Sequence, residues 1–206
     1  LICIFQNFQV DESSHKLKLI LNLILAIAKN HHRNQHFFPK IEKIILFLKN
    51  SIKQTYSNFE LYKICKFNKR ILLIFIENKM LIIDETIAND ILNNGSRNTI
   101  NYFYPEIKPF LKDNKIKIKI LDDIEEKRKL GENEQHICQL IQNDSVDEFI
   151  SYVTKNSTSL TTIIEQSIFE TNSFLQKRLE YELIEYATFY GSIQIFRYLY
   201  QNGVKL

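Results

Sequence analysis

Four glycines and three prolines in 206 residues leave this backbone few places to break. Glycine frees the chain to leave a regular element and proline forces it out, so their scarcity favours long runs of helix joined by short turns. Between the breakers, isoleucine and leucine recur at intervals of three and four, the spacing that gathers apolar side chains on one helical face. Leu17, Ile20, Leu21, Ile24, Leu25 and Ala28 form one such stripe, and Ile41, Ile44, Ile45 and Leu48 another. Two short helices cannot bury their apolar faces against each other alone, so paired helices are stable when pairs stack. The expected fold class is therefore all-α, a helical-hairpin solenoid.

Helix boundaries follow from capping chemistry. Asp11 or Ser14 caps a first helix that runs to about Lys29, and Pro39 occupies the first position of a second. Ser57 with Glu60 fits the S-x-x-E capping box, in which hydroxyl and carboxylate each satisfy an orphan backbone N–H. Asn68 ends that helix before the apolar run 71–76, Asp84 caps another through Ile87, Ile91 and Leu92, and Asn94-Gly95 stops it. Pro105 and Pro109 then bracket an aromatic connector of Tyr102, Phe103, Tyr104 and Phe110. Ile116, Ile118 and Ile120 alternate with lysines as a short strand or extended edge would. The charged stretch 122–131 is the expected linker between a helical region, 1–121, and a repeat region, 132–206.

The last third carries an internal repeat. Laying Ser145 on Ser192, an offset of 47 residues (145 to 192), puts Val146 over Ile193, Phe149 over Phe196, Tyr152 over Leu199 and Val153 over Tyr200. Ile137, Leu140 and Ile141 precede the first copy across an Asn143-Asp144 turn; Leu183, Ile184 and Ala187 precede the second across Gly191. Ser145 with Glu148, and Thr162 with Glu165, match the capping-box pattern again. A looser third copy starts at Asn68, where Leu72, Phe75 and Ile76 fill the same columns.

The segment 183–203 resembles an ankyrin repeat. Ala187 stands where that family keeps a small residue for close helix packing, Gly191 matches the glycine of its inter-helix turn, and Asn202-Gly203 matches its ending. The family's T-P-L-H opening is absent, with 177–182 in its place. The chain as a whole is similar to the large set of ankyrin-repeat proteins of trichomonad protists. That likeness is carried by Phe38-Pro39-Lys40-Ile41-Glu42-Lys43-Ile44, Asn68-Lys69-Arg70-Ile71-Leu72-Leu73, Pro105-Glu106-Ile107-Lys108-Pro109-Phe110, Glu126-Lys127-Arg128-Lys129-Leu130-Gly131-Glu132-Asn133 and Ser167-Ile168-Phe169-Glu170-Thr171-Asn172. The resemblance implies a helical N-terminal region of unknown function ahead of divergent ankyrin repeats, with the array truncated here, and supplies no catalytic residues.

The residues themselves offer little chemistry. Twenty-seven basic and 24 acidic side chains are well mixed, which gives no concentrated positive footprint for nucleic acid. Cys3, Cys65 and Cys138 are unpaired and far apart, suiting a reducing, cytoplasmic setting better than a disulfide framework. The apolar stretch 17–28 is too short to span a bilayer, which takes roughly 20 residues. His31, His32 and His36 sit in a polar turn without a neighbouring cysteine or carboxylate, so a metal site is not expected. His136 and Cys138 point in different directions on a helix, leaving the thiol a structural role. Asp122, Asp123, Glu125 and Glu126 adjoin Lys127, Arg128 and Lys129 as a solvated charge run. The glycines never cluster into a phosphate-cradling loop.

No catalytic, cofactor-binding or metal-ligating residue is assigned, and the chain is not expected to be an enzyme. A protein-interaction scaffold is the leading expectation, with partly exposed Tyr186, Tyr190 and Tyr198 on its binding side and self-association through an uncapped C-terminal face. The alternative is a helical domain in the N-terminal region whose stripes line a small-ligand or catalytic pocket.

Overall fold

A computed structural model describes residues 14–30, 37–111 and 123–206. The polar turn with its three histidines, Asp122 and the alternating Ile116–Ile118–Ile120 stretch lie outside the described residues. Within them the chain is mostly helical, with thirteen α-helices and two short strands. It divides into two compact units, Leu1–Leu130 and Gly131–Leu206.

In the first unit, α1 (Ser14–Asn30), α2 (Phe37–Phe47) and α3 (Lys49–Thr55) pack on one another. They bury Leu17, Leu21, Ile24, Ile41, Ile45 and Leu48, members of the stripes that the three- and four-residue spacing marks, together with Ile52. The expected start of α2 is corrected: it begins at Phe37, which places Pro39 third. Proline is tolerated there because first-turn N–H groups have no partner inside the helix.

Next come α4 (Asn58–Cys65), α5 (Lys69–Glu77) and α6 (Glu85–Asn94). The Ser57 capping box forms in both directions, with Asn68 Oδ1 receiving the Ile71 N–H and Asp84 Oδ1 that of Ile87. Asp90 on α6 joins two helices: it accepts the Tyr62 hydroxyl at 2.7 Å and the Lys66 ammonium at 3.0 Å, both from the end of α4. The Tyr62 hydrogen bond, then that of Lys66, holds the Asp90 carboxyl below its usual value. A depressed carboxyl stabilises the fold above its unfolded pKa of about 4 and loses that contribution as pH falls through the folded value. Asp90→Asn is thus expected to flatten the acid limb of the stability profile below about pH 4, read by urea titration at several pH values.

Two short helices, α7 (Arg97–Tyr102) and α8 (Tyr104–Ile107), with a 3-10 turn at Lys108–Phe110, form the aromatic connector. The expected solvated linker is corrected from residue 124 onward: Ile124–Leu130 is a helix, α9, and its Arg128 is buried. The Arg128 Nη1 donates to both Glu106 carboxylate oxygens at 2.8 Å and to the Tyr102 carbonyl at 3.2 Å, while the Tyr102 hydroxyl donates back to the Arg128 carbonyl at 2.9 Å. A mixed-charge run looks solvated in sequence because its partner, Glu106, lies 22 residues away.

The second unit holds two helical hairpins and the segment between them. The first pairs α10 (His136–Gln142) with α11 (Val146–Lys155). The second pairs α12 (Leu183–Tyr190) with α13 (Ile193–Gln201). Between them Ile163–Glu165 (β1) and Glu180–Glu182 (β2) form an antiparallel ribbon with Ile164 opposite Tyr181, both buried. Beside this short ribbon the chain is helical as expected, but Thr162 with Glu165 is no capping box, because the helix it would open is a strand.

Candidate functional site

The geometry that distinguishes the second unit is the way its hairpins meet. Helix α10 packs on α12 and α11 on α13, so the second hairpin lies on the first like on like. The backbone repeats at the same offset. Asp144 and Gly191, at twin positions, both turn through left-handed conformation, with φ of 51° and 70°. Ser145 and Ser192 follow with nearly identical dihedrals, −80°/75° and −78°/78°. Their N–H groups close the turns onto Leu140 at 3.0 Å and Ala187 at 2.9 Å, again twins.

That shared backbone explains a failed expectation. Ser145 does not cap α11, and Ser192 does not cap α13. Where serine does cap, at Ser57 and Ser96, ψ is 162° and 158°; a ψ near 75° turns the hydroxyl away from the helix N–H groups. In Ser192 the freed hydroxyl donates instead to the Ile141 carbonyl of the first hairpin. Asp144 takes over the capping. Its carboxylate accepts the Gln194 N–H at 3.1 Å and the Ile195 N–H at 3.0 Å, so the turn of one hairpin caps a helix of the next. Asp144→Ala is expected to cost about 1 kcal/mol by loss of this cap, measured as a lowered urea midpoint. In sequence Asp144 is legible only as a turn residue, because the N–H groups it serves are 50 and 51 residues away.

The two motif segments flanking the hairpins come together as well. Thr171 donates its N–H and hydroxyl to the Gly131 carbonyl at 3.0 and 2.8 Å, and the Ser167 hydroxyl bonds the Glu134 carboxylate. Gln176 donates to the Glu170 carbonyl at 2.7 Å and Tyr181 to that of Phe174 at 2.9 Å. The segment between the hairpins is thus tied down by its own polar side chains.

Of the tyrosines expected on a binding side, Tyr186 is corrected. It is 2% exposed, its hydroxyl accepts from Gln142 Nε2 at 3.1 Å, and burial drives its pKa upward. Tyr190 and Tyr198 are half-buried, and the Tyr198 ring meets Phe149 edge-on across the hairpins. Cys138 is buried and its thiol is pushed up to about 12 by desolvation, which disfavours a thiolate nucleophile. Among the described residues no group of three or more His, Cys, Asp or Glu is arranged to hold a metal ion, and no helix is long and apolar enough to cross a membrane.

Two grooves on the stacked hairpins differ in chemistry. A groove of about 600 Å³ on the first hairpin is lined by His136, Asp147, Glu148, Tyr152 and Lys155. Three twins of those residues, Leu183, Ile195 and Leu199, are fully buried in the second hairpin. A groove of about 380 Å³ on the second hairpin is lined instead by Ala187, Thr188, Gly191, Ile193, Phe196 and Arg197. Ile193 there is 58% exposed, and Tyr200 beyond it, stacked on Phe196, is 65% exposed. No known protein family matches the sequence, and no curated protein or solved structure shows significant similarity to it.

Proposed function

We propose that the chain is a protein-interaction scaffold whose second unit is a short solenoid of divergent ankyrin-like hairpins. One observation carries the reading: the second hairpin repeats the turn geometry of the first and stacks on it in the same orientation. Hairpins that repeat in this way present their turns and intervening segments side by side as an extended surface. The intervening segment contributes exposed apolar side chains to it, Phe174 at 53% and Leu179 at 75%, beside the Arg178–Glu185 ion pair.

Quantitative affinity capture with the full chain tests the reading, comparing wild type with a Phe174→Asp/Leu179→Asp double variant of unchanged circular dichroism. Proteins retained reproducibly by wild type and depleted by the variant support a scaffold. Indistinguishable profiles for wild type, variant and an unrelated helical bait rule it out.

A further inference from the structure

We infer that the β1–β2 ribbon is a docking edge for an extended segment of a partner protein in which basic and apolar residues alternate. The inference rests on the scaffold reading in placing a partner on the segment between the hairpins, and it adds the chemistry of that partner. The ribbon buries one face, Ile164 with Tyr181, and exposes the other, which carries Ile163, Glu165, Glu180 and Glu182. On the exposed face Glu165 stands directly opposite Glu180. The Gln166 N–H bonds the Leu179 carbonyl at 2.9 Å. The Glu165–Glu180 pair beside it is therefore of the non-hydrogen-bonded kind, in which Cα atoms approach to about 4.5 Å and side chains are closest. Like charges so placed oppose the pairing. Among the described residues no cation offsets them: neither carboxylate has an ion-pair or hydrogen-bond partner, and Arg178 is committed to Glu185 at 2.7 Å.

The same register leaves a main-chain site. Residues of a non-hydrogen-bonded pair turn their N–H and C=O groups away from each other. On the β1 side the Glu165 carbonyl is taken by Asn133 Nδ2 at 3.2 Å. On the β2 side the Glu182 N–H goes to the Glu185 carboxylate at 3.0 Å, whereas the N–H and carbonyl of Glu180, an exposed residue, have no partner among the described residues. A third strand beside β2 would exchange both hydrogen bonds with Glu180. Its side chain facing Glu180 would share the acidic outer face, and the side chains before and after it would point to the inner face, where Leu179 is 75% exposed. Basic residues at every second position would thus meet Glu180 and Glu182 and reach toward Glu165, while apolar residues between them cover Leu179. Strand addition takes affinity from the main chain and specificity from alternate side chains in this way. A divalent cation is a poorer occupant, because no group of three or more His, Cys, Asp or Glu among the described residues is arranged to hold one.

The test titrates the isotope-labelled full chain, followed by amide NMR, with the end-blocked peptide Ser-Lys-Val-Lys-Val-Lys-Ser and with Ser-Lys-Lys-Lys-Val-Val-Ser, which has the same composition and charge. Shifts are expected at Glu180 and its strand neighbours, with the alternating peptide held about fivefold or more tighter than the block peptide. Glu165→Gln/Glu180→Gln relieves the like-charge pair and should melt no lower than wild type, yet it should weaken the alternating peptide by about fivefold or more. The inference fails if neither peptide binds, if both bind alike, if the shifts fall outside the ribbon, or if the double variant binds as well as wild type. It also fails if calcium or magnesium saturates the carboxylates and excludes the peptide, which gives the face to a cation. Binding only after Lys115, Lys117 and Lys119 are replaced by glutamine overturns it as well, since residues 115–120 of the chain, Lys-Ile-Lys-Ile-Lys-Ile, carry the same alternation. Failure with the Phe174/Leu179 capture intact overturns this inference alone, and empty capture with peptide binding intact overturns the scaffold reading alone.

Discussion

Arg128→Ala should destabilise the first unit by about 3–5 kcal/mol, the usual cost of removing one member of a buried ion pair. The side chains of Arg128 and Glu106 are 6% and 16% exposed. The substitution therefore leaves a carboxylate desolvated and strips the Tyr102 carbonyl of a donor. Burial already raises the Glu106 pKa, against the opposing pull of Arg128. Without the arginine it rises further, and Glu106 folds in its protonated form. A raised carboxyl favours the folded state fully only below its unfolded pKa, and that contribution fades as pH rises through the folded value. The deficit of Arg128→Ala should accordingly be largest at neutral pH and shrink toward pH 4. Replacing both partners with apolar residues of similar size, Arg128→Met with Glu106→Leu, should recover most of the loss. Urea denaturation of the wild type, Arg128→Ala and the double replacement at pH 7 and near pH 4 measures the effect. Equal deficits at the two pH values would place the effect in packing of the arginine stem.

How much of this architecture the sequence announces depends on the distance over which each feature acts. Ser57, Asn68 and Asp84 are legible because each cap serves an N–H three residues on, and the stripe from Leu17 to Ala28 because a helix converts spacing directly into a face. Local reading misplaces features whose partners are remote. Arg128 looks solvated until Glu106 is brought beside it, Tyr186 looks available until Gln142 and the hairpin core enclose it, and Ser145 looks like a cap until its ψ is known. The ribbon of β1 and β2 is hidden for the same reason, since three-residue strands carry no periodicity and exist only through their pairing. The site is the extreme case. The column match between Ser145 and Ser192 reveals two like hairpins, yet it is silent on which face of one meets the other. Only the contacts of Asp144, Ile141 and Phe149 decide that.

Those contacts make two phenylalanines, equivalent by repeat position, unequal in energy. Phe149→Ala should cost about 3–5 kcal/mol, because the ring is fully buried between the hairpins and its loss leaves a cavity that α11 and α13 cannot close without breaking their other contacts. Phe196→Ala, at the twin position, should cost about 1 kcal/mol or less, since its ring is only half-buried against Tyr200 on an open face. Denaturant titration of both variants, monitored through the second unit, provides the comparison. Equal costs would mean that the two faces are equally covered.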